Sequence, residues 1–177
     1  MYEPIPIDDS ELCQPVEEAD FETLHTLING KRRRKKWRPV AMKVINRDRG
    51  KTLAYSDSPW WMSNALIFRP AAVEKLESIL LENGELLPVG GSAAGLSIWN
   101  PTNVIDALDR KRSEIWTFDD GRLMHVVRYA FRSRPLKNLD VFKIPDFRVS
   151  PTFVSERFVQ QWKKAGLRGL KFKKVWP

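Results

Sequence analysis

The residues able to do chemistry are few and scattered. One cysteine (Cys13) and two histidines (His25 and His125) supply all the soft ligands and near-neutral bases. The histidines stand a hundred residues apart, and the close His–His or Cys–Cys spacing that zinc requires is missing. Cys13 lies within Glu11-Leu-Cys-Gln14, where carboxylates nearby in sequence disfavour the thiolate that a nucleophile needs. Ser92 sits in Gly90-Gly-Ser-Ala-Ala-Gly95, which lacks the Gly-x-Ser-x-Gly elbow and is not followed by the Gly-Lys-Ser/Thr of a phosphate loop. Two carboxylate pairs could share an acid–base task, Asp106 with Asp109 and Asp119 with Asp120. The second pair precedes Gly121, where turn geometry alone favours Asp. The first is followed by Arg110 and Lys111, so surface ion pairing accounts for it. No catalytic residue, metal or cofactor is assigned.

Binding chemistry is better represented. Residues 1–30 hold eight carboxylates and no Lys or Arg, while the remaining 147 residues carry a net charge of +16. This asymmetry marks a charged segment that either lies on the chain's own basic surface or meets a basic partner. Lys31-Arg-Arg-Arg-Lys-Lys36 is an unbroken basic run followed by Trp37, the combination that tracks phosphates and stacks bases. No recognition motif accompanies it, so a solvated loop or intramolecular pairing is the preferred reading. Trp60 and Trp61 are adjacent. In an extended segment they point to opposite sides, and an exposed one would be an aromatic anchor of the kind that dominates interfaces. Trp99, Trp116 and Trp162 fit core faces.

These residues need elements to hold them. Residues 1–19, with three prolines and many acids, are expected to form an irregular acidic lead-in to a single domain over 20–177. Phe21, Leu24, Leu27 and Ile28 fall at helical spacing, with Asp20 placed to cap and Gly30 to stop. Residues 39–45 read as a strand followed by a turn through Arg47–Gly50, and residues 65–68 read as another strand. Pro70 opens a helix with Val73, Leu76, Ile79 and Leu80 as its stripe and Gly84 at its end. Leu96–Trp99 reads as a strand, and Asn100-Pro101 is placed to cap a helix carrying Val104, Ile105 and Leu108. Residues 114–118 and 123–131 flank Asp119-Asp-Gly-Arg122, a hairpin signal, and residues 139–144 alternate as a strand. Ser155 is an N-cap, Val154 and Val159 a hydrophobic staple, Phe158, Val159 and Trp162 a buried face, and Gly166 a stop. Leu170 and Phe172 alternate with Lys171 and Lys173 as in a half-buried strand. The fold class is α+β: one domain, a largely antiparallel sheet, and three or four helices packed on it.

A succession of short motifs resembles a known family. It runs through Asn100-Pro-Thr-Asn-Val-Ile-Asp-Ala-Leu-Asp109, Arg112-Ser-Glu114, Asp120-Gly-Arg122, Asp140-Val-Phe-Lys-Ile-Pro145 and Phe153-Val-Ser-Glu-Arg-Phe158. It closes with Ala165-Gly-Leu-Arg-Gly-Leu170 and Val175-Trp176, and a looser likeness reaches back to about residue 20. This order and spacing is similar to immunity-protein family eleven of bacterial polymorphic-toxin systems, formerly a domain of unknown function. The resemblance implies a non-enzymatic antitoxin, made beside a toxin and bound to it in a stoichiometric complex. It brings no catalytic residues with it.

The expected function is therefore that of a cytoplasmic immunity protein that occludes a cognate toxin protein. No apolar run approaches the ~18 residues of a membrane span, and no small-molecule substrate or cofactor is expected. The partner-binding candidates are Asp8, Asp9, Glu11, Glu17, Glu18, Trp60, Trp61, Asp119 and Asp120. The alternative is a nucleic-acid-binding module using residues 31–37.

Overall fold

The computed structural model describes residues 1–147 and 149–177. In chain order it contains β1 (Tyr2–Pro6), β2 (Leu12–Pro15), α1 (Ala19–Leu27), β3 (Met42–Ile45), β4 (Arg47–Asp48), β5 (Lys51–Thr52), β6 (Leu66–Phe68) and α2 (Pro70–Asn83). There follow β7 (Gly84–Pro88), β8 (Ser97–Pro101), β9 (Glu114–Thr117), β10 (Leu123–Arg128), β11 (Val141–Phe142), β12 (Phe153–Val154), α3 (Glu156–Lys164) and β13 (Leu170–Lys174). The arrangement is a single-domain α+β one with three helices, as expected. Its strands do not form one large sheet, however. They divide into a four-stranded sheet ordered β11-β12-β1-β13, a three-stranded sheet ordered β6-β8-β7, and three two-stranded ladders. All the pairings between these strands are antiparallel.

The N-terminal segment departs from the expected irregular lead-in. β1 lies inside the four-stranded sheet, paired along its length with β13 from Tyr2↔Lys174 to Pro6↔Leu170. Pro4 and Pro6 are tolerated because β12 meets β1 only at Tyr2↔Val154, so a proline without an N–H leaves no ladder bond broken on that side. β2 pairs with β3 from Leu12↔Ile45 to Pro15↔Met42, and its buried Cys13 enters the core. Acidic composition concealed both strands.

Three helical expectations had different outcomes. α2 begins at Pro70, where the missing N–H has no intrahelical partner to lose, and buries Leu76, Ile79 and Leu80. It ends at Asn83, and Gly84 then opens β7, where only glycine fits because a Cβ would lie 2.6 Å from the Asn100 carbonyl oxygen. α3 follows the sequence closely: the Ser155 hydroxyl accepts from the Phe158 N–H at 3.2 Å, and Phe158, Val159 and Trp162 are buried. α1 begins one residue before Asp20, which lies in its first turn and caps nothing.

The helix expected after Asn100-Pro101 does not form. Residues 102–109 instead borrow backbone partners from distant segments. Ile105 N–H donates to the Lys143 carbonyl at 2.8 Å, Lys143 N–H to the Asn103 carbonyl at 2.8 Å, and Arg132 N–H to the Ala107 carbonyl at 2.8 Å. Asn103 adds side-chain bonds to Asn83 and to the Val141 carbonyl. Tertiary pairing of this kind outweighs a weak local helical spacing.

Three apolar clusters fill the interior. One joins α2 and α3 around Phe68, Trp99 and Trp162. A second surrounds Cys13, Met42 and Ile98. The third, under the β9–β10 hairpin, stacks Phe131, Phe142 and Phe153.

Candidate functional site

Three of the eight acidic N-terminal residues pair with the chain's own cations. Asp8 faces Lys171 at 3.3 Å, and Asp9 faces Lys51. Glu11 is buried, accepts from Arg69 at 2.8 Å and takes the Ser56 N–H at 3.0 Å. Glu11 is thus committed to a largely shielded ion pair within the chain. Glu17 and Glu18 are exposed at the start of α1.

The basic run is held through its backbone and leaves its charges outside. The buried Glu85 carboxylate accepts the N–H groups of Arg33 at 2.5 Å and Arg34 at 3.2 Å. Asn100 donates to both Glu85 and the Lys31 carbonyl at 2.9 Å. Intramolecular pairing thus engages the amides of the run and the Arg33 guanidinium, whose Nε–H donates to the Leu27 carbonyl at 3.3 Å. The side chains of Arg32 to Lys36 line a hollow of about 830 Å³ together with Leu81 and Glu85. Trp37 is committed elsewhere: its Nε1–H donates to the Pro88 carbonyl at 2.8 Å, and its ring packs on the second cluster.

Of the candidate carboxylates, Asp106, Asp109 and Asp120 are engaged within the chain. Asp106 and Asp109 do line one hollow, of about 630 Å³, with Arg110, Lys111, Arg132 and Asp146. Arg132 pairs with Asp106 at 2.6 Å, and Arg110 with Asp146 at 2.7 Å. Asp109 accepts the Lys111 and Arg112 N–H groups at 3.1 and 3.2 Å, a turn-forming use of Asp. At the hairpin tip Asp120 takes the Arg122 N–H at 3.0 Å and its guanidinium at 2.6 Å. Asp119 is exposed.

Two buried groups depart from their ordinary ionisation. Burial pushes the Cys13 thiol up to about 12, partly opposed by Arg69. The sequence reading assigned that effect to neighbouring carboxylates; desolvation is its cause. Lys143 is 2% exposed and has its ammonium pushed down to about 7 by burial. Its Nζ donates to the Ile28 carbonyl at 3.2 Å. Sequence reasoning missed Lys143, because one lysine in an alternating stretch looks like a solvent-facing residue.

Trp60 and Trp61 behave as adjacent residues of an extended segment should. Each is half-buried, Trp60 against the first cluster and Trp61 against the second. The freely exposed tryptophan is another one. Trp116, expected in the core, is 61% exposed on β9. It lies opposite His125 of β10 in the ladder, with ring centroids 6.0 Å apart. Leu123 and Val126 are buried, and Phe118, Met124 and Val127 of the same hairpin are exposed. The signal was available: burying Ile115 in an alternating strand turns Trp116 outward.

Residues 97–176 match the family model described as the Immunity protein family (Imm11), which bears out the resemblance over that span. No curated protein matches the chain. Among the described residues, no helix is long and apolar enough to cross a membrane.

Proposed function

We propose that this chain is an immunity protein that neutralises a cognate bacterial toxin by binding it one to one in the cytoplasm, without chemistry of its own. The match of residues 97–176 to the immunity family carries this reading. The disposition of the carboxylates supports it. Asp106, Asp120 and Asp146 each pair with an arginine, and Asp109 accepts turn N–H groups, so all four are engaged within the chain. Occlusion needs only a complementary surface with a few anchors that exclude water, and long-range charge to speed encounter.

Co-expression tests the proposal. The toxin domain encoded beside this gene is induced in a sensitive host with and without the chain. Growth restored only when the chain is present is the expected result. Killing that continues despite soluble, folded chain overturns the reading.

The second reading is nucleic-acid binding, favoured by the hollow that Arg32 to Lys36 line. It would act by phosphate contact alone, since Trp37 is held by Pro88. Oligonucleotide affinity should then fall steeply with added salt. No binding near physiological ionic strength removes it.

A further inference from the structure

We infer that the outer face of the β9–β10 hairpin is the surface on which the toxin docks, with Trp116 as its anchor; this rests on the immunity reading. Residues 114–128 form a two-stranded ladder, and neither strand pairs with a third among the described residues. Its inner face is fixed to the third cluster by Ile115, Leu123 and Val126. An isolated hairpin is marginal in water, so those contacts are what keep it folded.

Beyond those contacts the hairpin leaves four large apolar side chains exposed: Trp116 (61% exposed), Phe118, Met124 and Val127 (46% each). Four of the ten exposed large hydrophobics of the described chain fall within these few residues. Solitary surface hydrophobics need no explanation, but four exposed on one short hairpin point to an interaction site. A rigidly mounted tryptophan is also the residue type most enriched among binding hot spots.

Charge selects the occupant. Lys111, Arg112 and Arg128 border the base of the hairpin and make no ion pair among the described residues. Glu114 lies opposite Arg128 in register, and the tip carries Asp119 and the paired Asp120. The base of the hairpin is therefore net cationic, at one end of the exposed apolar residues. A toxin surface with an apolar depression edged by carboxylates complements it, and unpaired strand edges add backbone donors and acceptors. Met124 and Val127 offer little to a phosphate backbone, which favours a protein over a nucleic acid. The hairpin also lies inside the region that matches the immunity family.

The test uses the full chain and the toxin domain encoded beside it, with binding followed by calorimetry or interferometry. Trp116→Ala should weaken toxin affinity by about 30-fold or more while leaving thermal unfolding unchanged, because the ring is largely in solvent. Arg112→Glu with Arg128→Glu should slow association and reduce its salt dependence. Wild-type affinity in a folded Trp116→Ala variant overturns the hairpin assignment and leaves the immunity reading standing. Failure of the wild-type chain to bind the toxin overturns both. Two further results overturn it in favour of another occupant. One is self-association of the chain that Trp116→Ala dissolves; the other is saturable binding of a fluorescent single-stranded oligonucleotide that the same variant loses.

Discussion

Arg69, at the head of α2, donates to Glu11 across 2.8 Å and thereby ties the acidic N-terminal segment to the body of the protein. Both side chains are mostly shielded, with 22% and 11% exposure. Arg69 is held further by the Ser56 carbonyl and by the Tyr55 ring. Replacing Glu11 with Ala leaves a shielded guanidinium and the Ser56 N–H without their acceptor. Breaking one side of such a pair costs about 2–3 kcal/mol. Urea unfolding of Glu11→Ala should show that loss as a lower midpoint at unchanged slope, and toxin affinity should be unchanged because Glu11 is not at a surface.

Lys143 sets a pH dependence of known sign. Its folded value, about 7, lies below the ordinary lysine value of 10.5. Between those limits the unfolded chain binds more protons than the folded one, so this group makes stability rise with pH from about 7 towards 10.5 and has no slope below 7. The slope approaches ~1.4 kcal/mol per pH unit. Cys13 acts oppositely above its ordinary value of 9.0, so the informative window is pH 7 to 9. Lys143→Met should flatten the slope there and be more stable than wild type at pH 7. The Ile28 carbonyl keeps a donor in that variant, from Asn64 at 3.3 Å.

Cys13 is fully buried, with its thiol pushed up to about 12 by desolvation. Thiolate is the reactive species, so a disulfide-exchange reagent at pH 8 should leave the native protein unlabelled for hours. Labelling should become immediate in denaturant. Rapid labelling of native protein would show that β2 opens readily.

The Ser155 hydroxyl accepts from Phe158 N–H and donates to Asp140 at 2.7 Å. Asp140 in turn holds Arg157. Ser155→Ala should cost about 1 kcal/mol, read as a lower thermal midpoint, and Ser155→Asp should not recover it, because its carboxylate would face Asp140.

Local rules made some of this legible. Pro70, Ser155, Gly166 and the Asp-Gly turn announced their elements because each acts within a few residues of itself. The β1 and β2 strands were hidden, since their pairing with β13 and β3 is a long-range property that proline and acidic content obscure. The helix expected over residues 102–109 failed for the same reason: Lys143 and Arg132 supply its backbone partners from far along the chain. At the candidate surface, strand alternation leaves open whether Trp116 or Ile115 faces inward, and the expectation that Trp116 lies in the core fails because the third cluster takes Ile115. Glu11 looked like one more surface acid until folding brought Arg69 to it.

Titration of the purified chain into a toxin domain found encoded beside it, as the proposal requires, with that toxin's activity as readout, tests the central claim most directly. Activity should fall linearly and vanish at one equivalent, with a one-to-one complex recovered by size-exclusion chromatography and both chains covalently unchanged. Full toxin activity in the presence of excess folded chain would contradict it.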